Sequence, residues 1–162
     1  MFAERKRKKL PGQYLSPDRV KVAAKGGPLV VGPKIQSGRI EFVFVLVRAD
    51  SPQQLEAGIE LVEDAAHKYD AVVQHVVGPM VVMAFGTLGS TQPSATSRAR
   101  LVSNMQEQFG RQVRIVHGVA GGHFGNFGGN RSIHYTFTFP RFAEALAALG
   151  RLEFGQTEEK PE

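Results

Sequence analysis

Residues 40–47 read Ile-Glu-Phe-Val-Phe-Val-Leu-Val, apolar on both alternating faces apart from Glu41. Successive side chains of a strand point to opposite sides of its sheet, so a run that is apolar on both sides is a central strand covered above and below. This one segment calls for a layered fold with packing elements against each face of a sheet. A chain of 162 residues has room for one such domain and not for two.

The flanking text supplies the covering layers. Ser51-Pro52-Gln53-Gln54 matches a capping box, and Leu55, Ile59, Val62 and Ala66 follow at helical spacing, which predicts a helix to about Lys68. Residues 71–77 and 80–85 are β-rich runs separated only by Gly78-Pro79, the pattern of a tight hairpin. After a polar loop to about Pro93, residues 98–109 read as a helix carrying Leu101, Val102, Met105 and Phe109, with Gly110 as its stop. Val113, Ile115, His117 and Val119 alternate as a strand, as do Tyr135, Phe137 and Phe139. Pro140 opens a last helix with the stripe Phe142, Leu146 and Leu149, ended by Gly150, and a short strand is expected at 152–154. The order predicts an α+β fold of the ferredoxin-like sandwich type, with helices packed on a mostly antiparallel sheet, over residues 39–156. Residues 1–38 read as a basic tail and a Pro- and Gly-rich entry segment, and 157–162 as an acidic C-terminal tail that frays.

Charge is distributed unevenly. Arg5, Lys6, Arg7, Lys8 and Lys9 against Glu4 put +4 of the chain's net +5 into its first ten residues, so the body is nearly neutral. Such a run suits an anionic membrane surface, and it lacks the aromatic interleaving of a nucleic-acid stacking platform. The chain has no cysteine, which excludes disulfides, thiolate metal sites and a cysteine nucleophile, and no apolar run approaches the length of a membrane span. The expected setting is cytoplasmic, with the inner membrane surface as a place for the tail.

His75, His117, His123 and His134 fall on or near expected strands, but no His-x-x-x-His pair or neighbouring carboxylate gives them metal-ligand spacing. The six glycines within 118–129 are followed by a strand pattern rather than a helix, which favours a glycine-rich β-hairpin over a phosphate loop. Phe124, Phe127, Tyr135, Phe137 and Phe139 repeat with the period of strands and read as core and dimer contacts before RNA-stacking residues.

Four segments together resemble the catalytic domain of class III nucleotidyl cyclases, the adenylate and guanylate cyclases. They are Gly12-Gln13-Tyr14-Leu15-Ser16-Pro17-Asp18, the strand at 40–47, the hairpin 75–86 ending Met83-Ala84-Phe85-Gly86, and the glycine-rich stretch 117–128 followed by Tyr135-Thr136. The resemblance implies cyclisation of a nucleoside triphosphate by two metal ions, Mg or Mn, held by two aspartates, with an asparagine and an arginine on a later helix stabilising the phosphate. The aspartate positions correspond to Ala49 and Pro79, with Asp50 one residue late as a weak substitute. The phosphate-stabilising positions correspond to Ala143 and Ala147, and the purine-reading pair to His75 and Thr136, of which Thr136 fits the family. The expectation is therefore a catalytically degenerate cyclase homology domain with no cofactor, acting as a regulatory or interaction module in nucleotide signalling. It pairs as a homodimer, or as a heterodimer with another cyclase-type domain, through the face bearing the glycine-rich hairpin. An active or partner-completed cyclase, using Mg or Mn, is the competing reading, and a basic-tailed nucleic-acid-binding module is a third.

Overall fold

The computed structural model describes residues 35–87, 94–129 and 132–162. The tail residues Arg5 to Lys9 and the entry motif around Tyr14 lie outside them.

The run that anchors the sequence forms β1 (Gln36–Val47). It starts three residues before the expected domain boundary, because Gln36 already pairs with Phe124. α1 (Pro52–Lys68) follows, with Ser51 as N-cap accepting from the Gln54 amide. The Gln54 side chain reaches one residue beyond the cap and accepts from the Asp50 amide at 2.9 Å. β2 (Val72–Val77) and β3 (Met80–Phe85) make the hairpin. Gly78 at its turn has φ 55°, and Pro79 follows with no amide to offer the ladder, the chemistry of a two-residue hairpin turn. α2 (Ala95–Phe109) begins three residues earlier than its apolar stripe suggests, since Ser94 caps it by accepting from the Ser97 amide. A 3-10 turn (Gly110–Gln112) leads into β4 (Val113–Gly129), β5 (Ser132–Thr138), α3 (Phe142–Arg151) and β6 (Thr157–Lys160).

The sheet runs β2-β3-β1-β4-β5, antiparallel throughout, with β6 added parallel to β4. The first four strands and their two helices form the ferredoxin-like core that the element order predicts. Val43, Val45 and Val47 pack under α1 and α2 with Leu101, Met105 and Ile115, while Ile40, Phe42 and Phe44 pack under α3 with Phe137, Phe139 and Leu149. Both faces of β1 are covered, as its two-sided apolar pattern requires. Beneath α3 the rings of Phe42 and Phe139 stack at 4.7 Å and Phe142 meets Phe44 edge-on at 5.2 Å.

Two expectations at the C-terminal end are corrected. Residues 152–154 form no strand, and α3 runs through Gly150 to Arg151 before Leu152 closes it. Nor does the acidic segment fray: Thr157–Lys160 is β6, pairing with residues 115–118 of β4. A polar strand seats there because Gly118 leaves room, a Cβ at that position falling 2.5 Å from the Lys160 carbonyl oxygen. The Gln106 amide nitrogen also donates to Thr157 Oγ1 at 2.8 Å.

A Cβ at Gly122 would lie 2.3 Å from the Thr138 carbonyl oxygen, whereas at Gly121 nothing stands within 4 Å. Gly122→Ala is expected to lower stability in urea melts by about 1–3 kcal/mol and Gly121→Ala by less than about 0.5 kcal/mol. Equal effects would show that the β4·β5 approach is looser than described. Among the described residues no helix is long and apolar enough to cross a membrane.

Candidate functional site

The end of β1 and the β2–β3 turn meet: the Val47 amide donates to the Pro79 carbonyl at 2.9 Å. The fold thus brings Ala49, Asp50 and Pro79 to one end of the sheet. What they offer is a methyl group, a pyrrolidine ring whose carbonyl is already used, and the side chain of exposed Asp50 in the connection after β1. A divalent-cation pair needs several convergent oxygens, and this set does not fit one. No group of three or more metal-ligating side chains occurs among the described residues. At the same end the guanidinium groups of Arg48 and Arg114 lie over the Phe154 ring, at 5.8 and 4.2 Å from its centre.

His75 and Thr136 are brought together. They lie on β2 and β5, the outermost strands of the sheet path, yet His75 Nε2 and Thr136 Oγ1 share a hydrogen bond of 2.7 Å. The sheet is curled enough for its two ends to touch. Neighbouring groups tie the same closure: Tyr135 Oη donates to the Thr87 carbonyl, and buried Gln74 donates to Thr87 Oγ1 at 3.1 Å. Burial pushes the Tyr135 hydroxyl up to about 12, so it remains a donor through the neutral range.

Ala143 and Ala147 stand on the exposed side of α3, one turn apart. Their spacing would hold two functional groups on one face, but each presents only a methyl. The nearest polar pair on that helix, Arg141 and Glu144, is an exposed ion pair at 2.8 Å.

A second polar cluster was not anticipated from the sequence. Arg98, in the first turn of α2, turns inward beneath the sheet. Its Nε meets Glu41 Oε2 of β1 at 2.5 Å and its Nη2 donates to Glu159 Oε1 of β6 at 3.2 Å. Its Nη1 contacts His117 Nδ1 of β4 at 2.6 Å. A guanidinium only donates, so Nδ1 is the acceptor and the imidazole is neutral. Burial, followed by the adjacent Arg98 charge, lowers the His117 pKa to about 4, against the opposing pull of Glu159. His117 is therefore buried, whereas His123 lies exposed and bonds Ser37 Oγ at 2.9 Å. The signal was present in Glu41: a lone carboxylate within an apolar run needs a cation.

As a sequence the chain matches no protein-family model, and it matches no curated protein at a significant level. Solved structures do resemble it. The adenylyl cyclase CyaB from P. aeruginosa superposes with a TM-score of 0.65 at 16% identity, covering 76% of this chain and 77% of that one. The guanylyl cyclase Cya2 gives 0.63 at 14% identity, covering 78% and 76%. A noncanonical dimeric guanylyl cyclase domain of the RhoGC fusion protein from the aquatic fungus Blastocladiella emersonii gives 0.60 at 12% identity, covering 78% and 80%. These likenesses show the fold: the chain has the fold of the adenylyl and guanylyl cyclase domains.

Proposed function

We propose that this chain is a cyclase-fold domain without cyclase chemistry, serving as a regulatory or interaction module in nucleotide signalling. One observation carries the reading: Ala49, Pro79, Ala143 and Ala147 have only hydrocarbon side chains where the resemblance to the cyclases implies two metal-binding carboxylates and two phosphate-stabilising groups. Groups that act as a unit leave little activity when all are absent. The purified chain is expected to form no cyclic AMP or cyclic GMP above background from ATP or GTP with Mg²⁺ or Mn²⁺, and Pro79→Asp alone restores none. Metal-dependent turnover by the homogeneous chain would overturn the proposal.

The hydrogen-bonded His75 and Thr136 favour a second reading, in which this domain supplies a nucleotide-binding wall to a partner domain that carries the missing groups. In that case turnover arises only on mixing and falls when Thr136 is replaced by valine. Either role involves pairing, as a homodimer or with another cyclase-type domain, and the guanylyl cyclase domain cited above as dimeric supports it by analogy of fold. Sedimentation velocity over a wide concentration range is expected to show self-association. A strictly monomeric species at high concentration excludes the homodimer. The basic residues Arg5 to Lys9 would bring such a module to an anionic membrane surface, with binding lost on their neutralisation.

A further inference from the structure

We draw no further inference here: the strongest candidate, the cavity of about 210 Å³ lined by Phe42, Phe139 and Ala145 with Lys160 and Pro161 in its wall, is an apolar space for which nothing in the structure shows an occupant.

Discussion

Arg98→Met is expected to destabilise the protein by about 3–5 kcal/mol, because it strands the Glu41 carboxylate, only 1% exposed, without its cation. Arg39 does not replace it, standing 3.4 Å away with its own side chain largely in solvent, where an ion pair contributes little. Two further contacts are lost at once, to His117 and to Glu159 of β6. Replacing both partners, Glu41→Leu with Arg98→Met, is expected to recover most of the loss, since apolar groups of similar volume carry no desolvation penalty. Urea melts of the four proteins of this cycle measure the coupling, provided the slope of the transition is unchanged. A coupling below about 1 kcal/mol would mean that the pair is hydrated and not buried.

Stability is expected to fall as pH drops from about 6.5 towards 4, by up to about 3 kcal/mol from His117 alone. The folded state keeps this imidazole neutral down to about pH 4, while the unfolded chain protonates it near 6.5. Within that window the unfolded state binds the extra proton, so stability rises with pH, is fully present above 6.5 and is lost progressively below. His117→Asn retains an acceptor for Arg98 and removes the titration. Comparison of the two proteins between pH 7 and 4.5 isolates the effect, because the carboxylates are common to both. Parallel curves for the two proteins would place the histidine in solvent. The test bears on the C-terminal strand too, because protonation turns His117 Nδ1 from acceptor to donor against the Arg98 guanidinium that also holds Glu159 of β6.

What the sequence determined by itself is what nearest neighbours along the chain decide. Alternation within 40–47 is enough to make β1 central, Ser51 with Gln54 is enough to start α1, and Gly78-Pro79 is enough to turn the hairpin. The Val47 to Pro79 hydrogen bond, which brings Ala49 and Pro79 to one end of the sheet, is by contrast a contact across the fold. Tertiary structure alone decided where polar groups find partners. Thr157–Lys160 has no apolar alternation and reads as a tail, yet it is a strand because Gly118 leaves space for its backbone and Arg98 reaches Glu159 from 61 residues away. His75 and Thr136, also 61 residues apart, meet only because the sheet curls until its outer strands touch. Periodicity reports which face a side chain takes, and burial follows from that. An ion pair or a hydrogen bond depends on the position of a second group, and that position is fixed by the path of the whole chain.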